Sequence, residues 1–311
     1  MMKLAVVFPG QGAQYPGMGK DLAENFSLAE DVFDTANEAL GYDIKKLCFE
    51  GPKDELIKTE ITQPAILTMS LATYKILESK GIKPDITAGL SLGEYCSLVI
   101  SGALDFKDAV RLVSRRGKYM QEAVPLGVGG MAAVLGLERD KVELACKKAS
   151  DVGVVEPANL NCPGQIVISG ELKAIERASV IVKEMGARRV VNLSVSAPFH
   201  CSLLKPAGEK LSVDLDNVKF KHLTIPVITN VTGEYIKSES EIRDLLIKQV
   251  SHPVLWEDSI RLMIKDGINT FVEVGPGRAL SGFIKKIDRS VTILNVENID
   301  TLNKTLEALN L

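Results

Sequence analysis

The chain has 311 residues, 46% apolar and 25% charged, with a formal net charge of −3. This composition suits one large or two smaller globular domains. No apolar run is long enough to cross a bilayer, and the slight acidity argues against bulk nucleic-acid binding. Five scattered cysteines without a Cys-x-x-Cys pair suggest neither a disulfide framework nor a metal site. The apolar start ends at Pro9-Gly10, too soon for a secretory signal, so the expected location is cytoplasmic.

Lys3 to Phe8 reads as a buried strand running into the glycine-rich turn Pro9 to Gln14. Tyr15 stands where a dinucleotide fingerprint needs glycine, which rejects a nicotinamide site. The turn either simply ends the strand or aims an N–H at an oxyanion. Helical spacing covers Asp21 to Leu40 and Thr62 to Lys80, and Gly81 is placed as a stop.

Ile86 to Gly89 is a second short buried strand. Gly89-Leu90-Ser91-Leu92-Gly93 follows it, with Leu92, Tyr95, Leu98 and Val99 at helical spacing behind. A nucleophile elbow needs this succession of strand, strained turn and helix, so that a serine hydroxyl stands exposed above the sheet edge. Ser91 is therefore the candidate nucleophile, and the flanking glycines are expected to supply positive backbone angles and close approach. Asp105 caps a helix from Phe106 to Gln121. On it Arg116 shares a narrow sector with Ala109, Val113 and Met120, opposite Arg111, Arg115 and Lys118. An inward guanidinium is either in a structural ion pair or held for a charged ligand.

From Gly127 to Val195 the texture changes. Met131–Leu137, Val154–Leu160, Gln165–Ser169 and Arg188–Leu193 read as strands, with Asp140–Ser150 and Leu172–Met185 as helices. That βαββαβ order is ferredoxin-like, and it points to a unit inserted at 127–195 into a larger α/β domain made of 1–126 and 196–311. The insert offers no nucleophile or base; its expected work is to wall a cleft.

His200 follows at the re-entry. Of the three histidines, His222 and His252 sit in charged or turn contexts, which leaves His200 as the candidate base for Ser91. Ile225–Asn230 and Thr270–Val274 read as further strands and Glu241–Gln249 and Val254–Asp266 as helices. Asp258 and Glu273 are acidic candidates to orient the histidine, although a backbone or amide carbonyl serves equally well.

Taken together, FPGQGAQ (Phe8–Gln14), TQPA (Thr62–Ala65), GLSLGEY (Gly89–Tyr95), RGKYMQ (Arg116–Gln121), NCPGQ (Asn161–Gln165), PFH (Pro198–His200) and EVGPG (Glu273–Gly277) span almost the full length. In these motifs the chain resembles the malonyl-CoA:acyl carrier protein transacylases of bacterial fatty-acid synthesis. The resemblance implies an α/β fold with a hydrolase-like larger domain, a central mostly parallel sheet and an inserted ferredoxin-like subdomain. It implies Ser91 as nucleophile, His200 as base, the N–H groups of Gln11 and Leu92 as oxyanion hole, Arg116 on the malonyl carboxylate, Gln63 near the acyl pocket, and Gln249 orienting His200 through a carbonyl. Phe199 would favour malonyl over bulkier α-substituted groups. The partners would be malonyl-CoA and acyl carrier protein, with coenzyme A thioester as substrate, no bound cofactor and no metal. Arg188, Arg189, Lys285 and Lys286 are basic candidates to meet an acidic carrier. Leu90 stands where the family usually has histidine. A stand-alone acyltransferase serving a polyketide synthase would share every motif; a serine thioesterase or hydrolase would share the elbow without needing Arg116.

Overall fold

The alternating apolar runs and amphipathic helices build two sheets, seen in a computed structural model that describes residues 2–195 and 197–311. The strands are β1 (Leu4–Phe8), β2 (Ile86–Gly89), β3 (Gly129–Leu135), β4 (Val155–Cys162), β5 (Gln165–Glu171), β6 (Arg189–Asn192), β7 (Val227–Ile228), β8 (Thr270–Val274) and β9 (Thr292–Val296). The larger sheet runs β7-β2-β1-β8-β9, parallel throughout. Its strands are apolar on both faces because helices cover both. Ala5, Val7, Ala88 and Phe271 pack on one side, and Val6, Phe8, Val272 and Val274 on the other.

The smaller sheet is antiparallel, in the order β4-β5-β3-β6. For a βαββαβ chain this is the ferredoxin-like arrangement expected. Along β3 alternate residues face opposite ways. Ala132 and Val134 join the small core under the helices Arg139–Ala149 and Leu172–Glu184, while Met131 and Ala133 turn toward the larger core. Strand β4 is stitched to the larger unit by main-chain bonds, Leu160 N–H to Val254 O (2.9 Å) and Val254 N–H to Ala158 O (2.8 Å). Ser196, where the larger unit was expected to resume, lies outside the described residues.

Several boundaries differ from the sequence reading. The expected helix Asp21–Leu40 is two helices, Lys20–Asn25 and Ser27–Leu40, because Phe26 is extended at φ −135°. The next long helix starts at Thr59, three residues early, and carries Pro64 inside it. Proline has no N–H for the Glu60 carbonyl four residues back. The Ser114 hydroxyl donates to that carbonyl instead, at 3.3 Å. The strand expected over Ile225–Asn230 shortens to Val227–Ile228, and the helix expected from Val254 starts at Trp256, since Val254 is held by β4.

Candidate active site

In parallel sheets ligands gather outside the carboxyl ends of the strands. Here β1 and β2 pair in register up to Phe8 opposite Gly89, so the turn after β1 and the elbow after β2 lie side by side. The Leu90 N–H bonds Phe8 O at 3.0 Å, which fixes the two loops together. The glycines work differently from expectation. The positive angle sits on Ser91 itself, at φ 56°, and neither Gly89 nor Gly93 is left-handed. The glycines serve close packing alone: a Cβ on Gly89 would lie 1.9 Å from the Gly93 carbonyl carbon, and one on Gly93 would lie 2.4 Å from Phe8 O. A strained non-glycine residue held by such packing is the signature of an elbow.

His200 is the second strained residue, at φ 60°. Its Nε2 lies 2.7 Å from Ser91 Oγ. Its Nδ1 donates to the backbone carbonyl of Gln249 at 2.9 Å, which leaves Nε2 free to accept the serine proton. That carbonyl ends the helix Glu239–Gln249, and residue 253, the next in helical register, is a proline without N–H, so no helical donor competes for it. Asp258 and Glu273 do not orient His200. Asp258 pairs with Arg139, and Glu273 receives the Leu280 and Ser281 N–H groups. Burial, and secondarily the Arg116 charge, push the His200 pKa from 6.5 down to about 3. The imidazole is therefore neutral at physiological pH.

Arg116 is buried at 1% exposure, as its helical sector required. It is not in a structural ion pair: its partners are Gln63 Oε1 (2.7 Å), Ser91 Oγ (3.0 Å) and Gln249 Oε1 (3.1 Å), and the Tyr95 ring centroid lies 5.7 Å from Cζ. Its Nε is buried with no hydrogen-bond partner. Burial lowers its pKa, with Tyr95 and Glu94 acting against the shift. A desolvated cation surrounded by neutral oxygens is a ready receptor for an anion.

Ser91, His200, Gln11, Leu92, Gln63, Phe199 and Leu90 all line one cavity of about 440 Å³. Among the described residues, the N–H groups of Gln11 and Leu92 have no hydrogen-bond partner, which leaves both free to donate. Strand β4 adds Asn159 and Asn161 to the wall, and Asn161 Oδ1 is buried without a partner. The sequence reading gave the insert no polar role and missed both; two asparagines alternating in NLNC, on one face of a strand, were the available signal. It also missed Glu94 and left Asn230 without a task. Asn230 clamps the elbow: its Oδ1 accepts the Ser91 N–H (2.6 Å) and its Nδ2 donates to Gly89 O (2.7 Å).

No group of three or more potential metal ligands occurs among the described residues. His222 and His252 are exposed and apart from the cavity. Arg188, Arg189, Lys285 and Lys286 are all exposed, with Lys286 donating to Gln165 at 2.9 Å.

Comparison with known proteins adds four findings. Residues 5–302 match the acyl transferase domain family. The chain is 46% identical over 310 residues to the malonyl CoA-acyl carrier protein transacylase of Bacillus subtilis, covering 99% of this chain and 98% of that one. Its fold superposes with a TM-score of 0.97 on the crystal structure of the Clostridium perfringens malonyl CoA-acyl carrier protein transacylase, at 51% identity and covering 99% and 97% of the two chains. A further structure, a malonyl-transacylase in complex with a type II polyketide-synthase acyl-carrier protein, matches at 43% identity and TM-score 0.96, covering 98% and 99%.

Proposed function

The chain belongs to the acyl transferase domain family, and on that premise we propose that it moves malonyl groups from malonyl-CoA to the phosphopantetheine thiol of acyl carrier protein. The observation that carries this reading is the convergence of His200 and a buried, unpaired Arg116 on one serine hydroxyl, at 2.7 and 3.0 Å. A hydrolase needs the first contact; only an acyl group with its own carboxylate needs the second.

The steps follow from the geometry. His200 Nε2 takes the Ser91 proton as Oγ attacks the thioester carbonyl. The N–H groups of Gln11 and Leu92 stabilise the oxyanion, and the coenzyme A thiolate leaves with the proton from His200. In the second half-reaction the carrier thiol gives its proton to His200 and attacks the malonyl-serine ester, and Ser91 Oγ departs with that proton. Arg116 holds the free carboxylate throughout, and Gln63 and Gln249 hold Arg116. Phe199 narrows the space around the α-carbon. The Gln249 carbonyl supplies the orientation that an aspartate gives in other triads. Residues 127–195 act as an inserted unit that closes one wall of the cavity. Leu90 makes that side of the elbow apolar.

The cycle needs no resident cofactor, since the coenzyme A thioester is substrate. Cytoplasmic residence accompanies it: all five cysteines are free and buried, which fits a reducing compartment, and no helix among the described residues is long and apolar enough to cross a membrane. The pathway is fatty-acid synthesis, as for the resembled family; the polyketide relative makes carrier preference the property that separates the two pathways. Initial rates with both substrates varied test the mechanism. Parallel double-reciprocal lines are expected, and intersecting lines would refute a covalent relay.

A further inference from the structure

Beneath the elbow lies a carboxylate for which the reaction above has no use. Glu94, in the first turn of the helix Gly93–Ile100, is fully buried, as are Tyr95, Cys96 and Leu98 on the same helix. Its Oε2 accepts two hydrogen bonds, from Gln249 Nε2 at 2.7 Å and from the Asn230 N–H at 2.9 Å. Its Oε1 is buried without a partner. A carboxylate in that setting is costly, and burial raises its pKa against the opposing pull of the Asn230, Gln249 and Thr229 donors and of the Arg116 charge. Packing alone would be served better by leucine.

What Glu94 holds shows its use. A glutamine amide has a donor end and an acceptor end, and rotating it by half a turn exchanges them. Gln249 presents Oε1 to Arg116 Nη2 at 3.1 Å, and its Nε2 donates to Glu94 Oε2 and to Ser91 O at 3.0 Å. Were the amide turned, its NH₂ would face the Arg116 guanidinium, donor against donor, and its oxygen would face three acceptors, Asn230 Oδ1 (3.4 Å from Nε2) included. Ionised, or protonated on Oε1, Glu94 offers Oε2 as an acceptor and so disfavours the turned form. The same oxygen anchors Asn230, which clamps Ser91 N–H and Gly89 O.

We infer that Glu94 is the positioning residue that sets the orientation of the Gln249 amide and, through it, the aim of Arg116 at the free carboxylate of the acyl group. This rests on the malonyl-transfer reading. Glu94 touches no reacting atom; it acts through Gln249.

The test compares how Ser91 is loaded from malonyl-CoA and from acetyl-CoA, which has no carboxylate for Arg116. Rates of acyl-enzyme formation are measured for wild type, Glu94→Gln and Glu94→Leu. Glutamine keeps an acceptor at the Oε2 position and carries an NH₂ in place of the other oxygen, which the nearby Thr229 hydroxyl can accept. Loss of one buried acceptor predicts a roughly tenfold fall in the malonyl-to-acetyl ratio of kcat/KM for Glu94→Leu, carried mainly by KM for malonyl-CoA. Glu94→Gln retains the wild-type ratio within about twofold. If circular dichroism shows Glu94→Leu unfolded, Glu94→Ala removes the acceptor without adding bulk and carries the same expectation. A leucine or alanine variant with the wild-type ratio overturns the inference, as does a glutamine variant as low as the leucine one. Failure of the wild type to take up malonyl would instead refute the activity on which the inference rests.

Discussion

Replacing Arg116 by alanine separates substrate recognition from nucleophile activation. Arg116 makes three hydrogen bonds, all to neutral oxygens, and its Nε has none. An arriving carboxylate takes two charge-assisted bonds from this guanidinium in a site where water cannot replace them. At about 1.5 to 2 kcal/mol each, their loss amounts to about 3 to 4 kcal/mol, or roughly 10²- to 10³-fold in kcat/KM for malonyl loading. Acetyl loading makes no such bonds, and in the variant His200 still reaches Ser91 and stays neutral through burial, so the acetyl rate stays within a few-fold. The variant leaves Gln63 Oε1 and Gln249 Oε1 without their donor while removing a desolvated charge; these oppose each other, and thermal denaturation is expected to shift only modestly. Quench-flow with both thioesters followed by intact-mass detection gives the two rates. Equal falls for malonyl and acetyl would refute carboxylate recognition and return Arg116 to a structural role.

Other consequences follow from the same geometry. With His200 pushed from 6.5 down to about 3, its proton is bound in the unfolded chain but excluded by the fold, so the neutral base persists at neutral pH. The kcat/KM for acylation is therefore flat from about pH 8 down to about pH 5 and falls only as pH approaches the folded value; an inflection near the ordinary histidine pKa would contradict this. Stability declines as pH drops below 6.5 toward 3, and a His200→Gln variant flattens that slope in urea titrations. Gly89→Ala puts a Cβ 1.9 Å from the Gly93 carbonyl carbon, and it is expected to cost more than about 3 kcal/mol by urea unfolding; a wild-type midpoint would show that the elbow is looser than described. Phe199 lies at 7% exposure on the cavity wall, and on the proposed reading its ring limits the room for an α-methyl group. Wild type prefers malonyl-CoA over methylmalonyl-CoA by roughly tenfold or more, Phe199→Ala narrows the gap, and equal turnover by wild type would remove Phe199 as the selector.

Much of the candidate site was legible because its parts carry local signals. The elbow lies within five residues, Arg116 betrays itself by sharing a stripe with Ala109, Val113 and Met120, and His200 stands out among only three histidines. What supports them was not legible, because those contacts are distant in sequence. Asn230 meets Ser91 across 139 residues and Gln249 meets Glu94 across 155. The one local hint of Glu94 was a carboxylate in the first turn of an otherwise buried helix. The acidic candidates Asp258 and Glu273 failed for a related reason: a surface partner and a helix N-terminus claim them, and neither claim is visible in a window of residues. In the fold, the helix Lys205–Leu215 was hidden by Pro206 and Gly208, and β9 by its half-exposed edge position without clean alternation. The helices Ile44–Glu50, Ala279–Ile287 and Ile299–Ala308 also give weak local signals, each short or flanked by turn residues.

The most direct test of the malonyl relay is the intact mass of the enzyme after mixing with malonyl-CoA, alongside Ser91→Ala. The account predicts one malonyl adduct on wild type, none on the variant, and its discharge when the thiol of phosphopantetheinylated acyl carrier protein is added. No adduct, with free malonate accumulating instead, would contradict it and leave a hydrolase.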